Sequence, residues 1–461
     1  MVSRRRFLHL GVGAVLAATG CVGDSAPKRR RDRTDRADET SASPSPADAS
    51  DAATETPDRL PAWSPDWSLS FGGRNVLGLD AAADGETLFA TVSTQDGPSS
   101  VVAVDPASQS SRWRTEMAGE AVAHSHASFQ RISRGQWGVT LASDAVYAVA
   151  GMAEEREWTA LHALDRQSGD ARWSVRRDRA LAVAGVSDGL VVAAGLEFFP
   201  PPDVTPTSHQ TPEEPLTTVV YALDAADGSV RWEREFTAVA DVAVGDRGAF
   251  VATDEGVTAL GRDGGERFSL DVGPATWVEV AGERLFVLTG DDDRRTLRGV
   301  APDGTVEWRR ELPVHELLLH DDRLYAGGDA VVAVESDGRV VWRDDDYGQW
   351  LLVDPDGDTL YTRSQVGADA ATAYAVDGDE RWTFDPPSND AWPETATTDS
   401  LVVSAITGDH ASDPFLTVYA VDSAGEATAS FGVDTVFDAV GVGDTAYLAD
   451  GDSTLRAFTP P

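Results

Sequence analysis

A closed ring of four-stranded sheets, an all-β propeller, is the fold class this sequence predicts. Three observations carry it. A strand-like run, an acidic residue, a polar turn and an aromatic residue recur in that order along the chain. The recurrence has a period of about 45 residues, enough for four short strands and their turns. Helical periodicity is absent.

The units read, in order, VVAVDPASQSSRW ending at Trp113, LHALDRQSGDARW at Trp173 and VYALDAADGSVRW at Trp232. Then come VTALGRDGGERF at Phe268, LRGVAPDGTVEW at Trp308 and VVAVESDGRVVW at Trp342. AYAVDGDERW at Trp382 and VYAVDSAGEATASF at Phe431 close the series. Each is a hairpin: alternation turns one face inward, the acidic residue ends the strand, and the returning strand brings a large flat ring. Gly169, Gly228, Gly304 and Gly338 suit turns that need positive φ. Trp67 starts a further aromatic strand with no partners before it, and the C-terminal runs TAYL and TLRAF lack one after them. The two ends therefore complete one shared blade, which removes the open sheet edge. Eight blades are expected, and the unit count also allows nine.

The spacing Ala-x-Asp-x-x-Ser-Gly-x-x-x-Trp from Ala163 to Trp173 resembles the tryptophan-docking repeat of pyrroloquinoline-quinone (PQQ) propellers. Ala222 to Trp232 matches with Asp227 before the glycine, and Ala103 to Trp113 departs with Gln109 in the glycine's place. The resemblance covers residues 61–461. It implies a superfamily that includes quinoprotein alcohol dehydrogenases and a non-catalytic lipoprotein propeller of outer-membrane protein assembly, so it implies the fold more than an activity.

Residues 1–21 read as an address. Arg4, Arg5 and Arg6 before Phe7-Leu8 resemble a twin-arginine export signal, followed by an apolar stretch from Leu8 to Ala18. Such a stretch is too short to span a hydrocarbon core of about 30 Å. Ala18-Thr19-Gly20-Cys21 resembles a lipobox, which implies lipid on Cys21; cleavage near Ala18 with Cys21 left as a thiol is the alternative. The expected place is the outer face of the cytoplasmic membrane. Residues 22–60 are poor in large apolar side chains and read as a disordered tether. Their basic run from Lys28 to Arg36 reads as solvated linker rather than headgroup contact.

The chain carries 77 Asp and Glu against 38 Lys and Arg, a net charge of −39, and the excess lies beyond residue 60. Such a surface repels phosphates and argues against nucleic acid as a partner. Lys28 is the only lysine, a composition that resembles proteins of extreme halophiles. Cys21 is the only cysteine, so no intramolecular disulfide forms.

No catalytic constellation emerges from the sequence. A phosphate loop and a Ser–His–Asp motif are both missing. A quinone-dependent dehydrogenase, as the resemblance describes it, uses calcium, a catalytic Asp and often a vicinal Cys pair. The pair is absent and the other groups match no motif, so neither PQQ nor calcium is expected. Asp354-Pro355-Asp356-Gly357-Asp358 looks like a calcium loop, but Gln365 stands where the closing Glu belongs. Asp291-Asp292-Asp293 and Asp344-Asp345-Asp346 read as solvated turns. His124 and His126 share a strand face without further ligands nearby. Trp350 and Trp392 lie outside the repeat and are the candidates for stacking a ligand such as a carbohydrate. Two insertions, Ala121 to Gly138 and Leu196 to Pro215, are where a binding function would sit, the second with Phe198, Phe199 and Pro200-Pro201-Pro202. The reading favoured is a monomeric, lipid-anchored, non-catalytic scaffold for an unknown protein partner or ligand. A quinone-dependent dehydrogenase and a carbohydrate-binding propeller are the alternatives.

Overall fold

The computed structural model describes residues 60–82, 85–93, 98–119, 139–152, 158–196, 217–291, 294–364, 370–387, 391–406, 415–451 and 453–461. Arg4, Arg5, Cys21, nearly all of the tether, the first insertion, the second except for Leu196, His124, His126, Asp292, Asp293 and Gln365 lie outside them.

Every regular element described is a β-strand, 36 in all, each antiparallel to its sheet neighbours. Grouped by pairing, they form nine sets of four, the larger of the two counts that the repeat allows. In chain order blades 1 to 8 cover residues 75–116, 140–177, 180–237, 241–271, 275–311, 314–344, 348–384 and 391–433. Blade 9 takes residues 436–458 and, as its outermost strand, Trp67–Ser70 from the other end of the chain, with Trp67 opposite Ala457 and Ser70 opposite Thr454. Blades 6 and 7 join in one eight-stranded sheet, but only through the pair Gly328–Gly348.

The core is also a ring. Nine hydrophobic clusters each bridge two successive blades, and the one containing Val76, Leu88, Tyr447 and Leu455 joins blade 9 to blade 1. Middle strands are covered on both faces, so they read as continuous apolar runs such as Leu190–Leu196, buried throughout. Outermost strands alternate buried rings with exposed Arg and Glu, as in Val230–Thr237.

The repeat residues are the joints between blades. Trp173 lies across the small Ala163 of its own blade, and its Nε1–H donates to the Ala225 carbonyl of the next at 2.9 Å. Gly228 of that next blade sits beneath the ring. It holds φ +72°, and a Cβ there would stand 2.7 Å from the indole, so both backbone and space require glycine. Trp113, Trp232, Trp308 and Trp342 make the same N–H bond, to Arg166, Arg262, Ser336 and Val376 at 3.0 to 3.2 Å. Phe268 has no N–H, and Arg267 beside it donates instead to Pro302, the equivalent turn carbonyl, at 2.7 Å. Gln109, where the repeat departs from glycine, keeps the left-handed backbone at φ +56°.

Phe431 is displaced from this pattern. The position opposite Ala420 in blade 8 is Ala429, and Phe431 faces Val418 two residues further on. The turn of that hairpin is one residue shorter than in VYALDAADGSVRW, so counting to the next aromatic overshoots. Trp63, from ahead of the first blade strand, packs beside that gap instead. Its ring stands 5.8 Å from Phe431 and 4.8 Å from Phe458, and Trp63 N donates to Ser430 O at 2.9 Å.

The arginine before the tryptophan has a role that sequence reading missed. Arg172 bonds the Asp144 carbonyl at 2.6 Å and the Asp165 carboxylate at 2.8 Å, tying the outer turn of its blade to the inner one. Arg112, Arg231 and Arg381 bond the carbonyls of Glu86, Gly189 and Asp358 alike. The strand-ending Asp caps its own turn: Arg172, then the N–H groups of Ser168 and Gln167, hold the Asp165 carboxyl well below the usual range.

One buried group makes stability depend on pH. His162, on the third strand of blade 2, is 9% exposed, and its Nε2 has no hydrogen-bond partner among the described residues. Burial lowers its pKa, so the ring is neutral in the fold, whereas the unfolded chain takes up a proton near pH 6.5. Its contribution is therefore full above about pH 6.5 and is lost as pH falls from there through the lowered folded value. Thermal midpoints in molar salt at pH 7.5 and 5.5 test this. The drop on acidification should be smaller in His162→Leu than in the parent; an equal drop refutes the assignment.

Candidate functional site at the ring axis

The innermost strand of each blade borders the axis, and in seven blades a register shift interrupts its pairing. Such bulges re-aim side chains and occur often beside binding sites. Two kinds of side chain gather near them, carboxylates and tryptophans.

The carboxylates staple neighbouring blades. Asp438 of blade 9 accepts Leu79 N of blade 1 at 2.7 Å and Ala439 N at 2.8 Å. Asp241 of blade 4 accepts Val278 N of blade 5 at 3.0 Å and Val242 N at 2.9 Å. Glu316 of blade 6 accepts Leu351 N of blade 7 at 3.1 Å. Acids near an axis suggest general acid–base chemistry, but these ones are committed to backbone N–H groups across blade boundaries.

The structure brings Trp350 and Trp392 together. Trp350 is on the innermost strand of blade 7, Gly348–Val353, and Trp392 on that of blade 8, Ala391–Ala396. Arg363, from the second strand of blade 7, approaches both, its guanidinium 4.7 Å from the Trp350 ring and 5.0 Å from the Trp392 ring. Both rings are half-buried and belong to none of the hydrophobic clusters. Trp350 holds φ +55°, an outlier for a bulky side chain. Its Nε1–H is buried with no partner among the described residues. Gln349 precedes it, and Glu394, which accepts the Ser404 hydroxyl, lies on the Trp392 strand.

The other sequence candidates do structural work. Asp354 is buried in the inner hairpin turn of blade 7, where its Oδ1 accepts Asp358 N at 2.8 Å. Asp344 bonds the Tyr374 hydroxyl, and burial followed by that acid raises the tyrosine's pKa. Among the described residues no three His, Cys, Asp or Glu side chains stand close enough to share a metal ion.

Topology separates the two ends of the ring. In a four-stranded meander the first and third connections leave one face, and the second connection and the crossing to the next blade leave the other. On the first face no connection is longer than residues 82–87. The second face holds the strand ends that are joined by residues 117–139 between blades 1 and 2, by residues 197–216 within blade 3 and by residues 407–415 within blade 8. Both insertions picked out in the sequence therefore join strand ends on one face, and Gly348–Val353 and Ala391–Ala396, which carry Trp350 and Trp392, start from it.

No curated protein sequence matches the chain. Among solved structures, BamB from Moraxella catarrhalis is similar over 86% of this chain and 100% of its own, at 11% identity and a TM-score of 0.49. A europium-containing methanol dehydrogenase is similar over 84% of each chain, at 12% identity and a TM-score of 0.47. A eukaryotic initiation factor is similar over 84% of this chain and 90% of its own, at 11% identity and a TM-score of 0.53. At such identities the likeness is one of fold. The family model described as outer membrane protein assembly factor BamB matches residues 52–198 and 217–351, more than half of the sequence, and the chain belongs to that family.

Proposed function

We propose that the chain is a non-catalytic scaffold that binds a protein partner on the face bearing the long connections. It is exported through the twin-arginine signal at Arg4 and Arg5 and held at the outer face of the cytoplasmic membrane by lipid on Cys21. The observation that carries the binding reading is the unequal use of the two faces. The short-turn face is spent on Trp–Gly docking and Arg–Asp clamps, whereas the other carries the length variation in which binding tends to reside. Membership of a family named for an outer membrane protein assembly factor supports a protein as partner.

Photoreactive side chains at exposed positions test this in full-length, membrane-bound protein in molar salt. Asp178 and Glu255 lie in connections on the long-connection face, Asp227 and Asp337 in short turns opposite. Discrete adducts are expected from Asp178 and Glu255 and none from Asp227 or Asp337. Adducts from both faces alike, from the short-turn face, or from neither overturn the reading.

A further inference from the structure

We infer that Trp350 and Trp392 form a platform for a saccharide at the end of the axis bearing the long connections. The contrast with the repeat tryptophans carries the inference. Trp173 and its counterparts lie within the clusters between blades or pack on them, and five of them donate their N–H to a carbonyl of the next blade. Trp350 does neither. It stands outside every cluster, leaves its N–H without a partner among the described residues, and adopts a left-handed backbone that glycine would hold without strain. Packing does not account for a tryptophan there. Strain of this kind gathers at sites where a side chain is presented to a ligand.

Arg363 explains how the two rings are presented. Its guanidinium stands 4.7 Å from the centre of the Trp350 ring and 5.0 Å from that of Trp392, so one cation engages both indoles. A pyranose lays one C–H face on a single indole and offers hydroxyls at its edge, and Gln349 and Glu394, on the same two strands as the rings, are hydrogen-bonding residues of the kind such hydroxyls use. The net charge of −39 disfavours an acidic ligand, and stacking, unlike ion pairing, survives the screening of molar salt.

Calorimetric titration of the full chain in molar potassium chloride with cello-, chito- and manno-tetraose tests the site. At least one is expected to bind, and Trp350→Gly and Trp392→Ala should each weaken it tenfold or more. Trp350→Gly should keep or raise the thermal midpoint, because glycine suits that backbone. Three outcomes overturn the inference: no heat with any of the three sugars, binding unchanged in both variants, or a midpoint in Trp350→Gly as low as that of Trp173→Ala. Binding of a short apolar peptide at these residues in place of any sugar overturns it in favour of a peptide site.

Discussion

Trp173→Ala is expected to cost about 3–5 kcal/mol, the range for removing a large aromatic from a packed core. Three losses combine. The ring leaves the cluster shared by blades 2 and 3, where it lies 5.8 Å from Tyr147. Ala225 O loses the indole N–H. Gly228, shaped for a ring overhead, is left facing a void. Trp173→Phe keeps most of the packing and should cost about 1 kcal/mol for the hydrogen bond, plus any misfit of the smaller ring. The coupling to Gly228 is the sharper test. Alone, Gly228→Ala sets a Cβ 2.7 Å from the indole at φ +72°. In the Trp173→Ala background that clash disappears and only the backbone strain remains, so the double variant should be more stable than the sum of the singles predicts. Guanidinium chloride titrations of the four proteins measure this. Strict additivity would mean that Trp173 and Gly228 do not bear on each other.

The same pair shows why the fold was legible in the sequence. Each hairpin carries within about a dozen residues its share of two joints: an acid that caps the turn, a glycine that sits under the preceding blade's ring, and an aromatic that covers the next blade's turn, so the pattern shows even though Trp173 and Gly228 belong to successive repeats. Shared closure was legible for a related reason, since Trp67–Ser70 and the last three strands each lack what the other holds. The failures are as local. Phe431 was misplaced because one residue less in the turn shifts the register, and Trp63 escaped notice because its partners, Phe431 and Phe458, lie at the far end of the chain.

The axis was far less legible. Asp438, Asp241 and Glu316 each bond a neighbouring blade, and nothing in their flanking residues marks an acid that accepts a backbone N–H from the next sheet. Trp350 and Trp392 were found by elimination, as tryptophans the repeat leaves over. Arg363 was not, because it comes from a different strand and reads there as one more exposed charge. The Arg-Trp dipeptides at residues 112–113, 172–173, 231–232 and 381–382 were visible but unassigned, since the inner turn they clamp lies a full hairpin away.

Raising potassium chloride from 0.1 to 3 M is expected to lift the thermal midpoint by on the order of 10 °C or more, through relief of charge repulsion worth several kcal/mol. The sign follows from which charges outnumber which. Salt weakens attractive pairs such as Arg172 with Asp144 and Asp165, but exposed pairs contribute little at any ionic strength. Repulsion among 77 acids set against 38 bases is the larger sum, and folding concentrates it on one surface. The shape of the curve separates two mechanisms. Screening saturates near 1 M, where the Debye length is already about 3 Å, so a plateau there identifies repulsion as the whole effect. A midpoint that keeps climbing beyond 1 M, and climbs faster in sulfate than in chloride, adds preferential exclusion of salt from the protein surface. Circular dichroism melts in both salts decide between them, and a midpoint that is flat or falls with salt contradicts the reading of this acidic surface as an adaptation to brine.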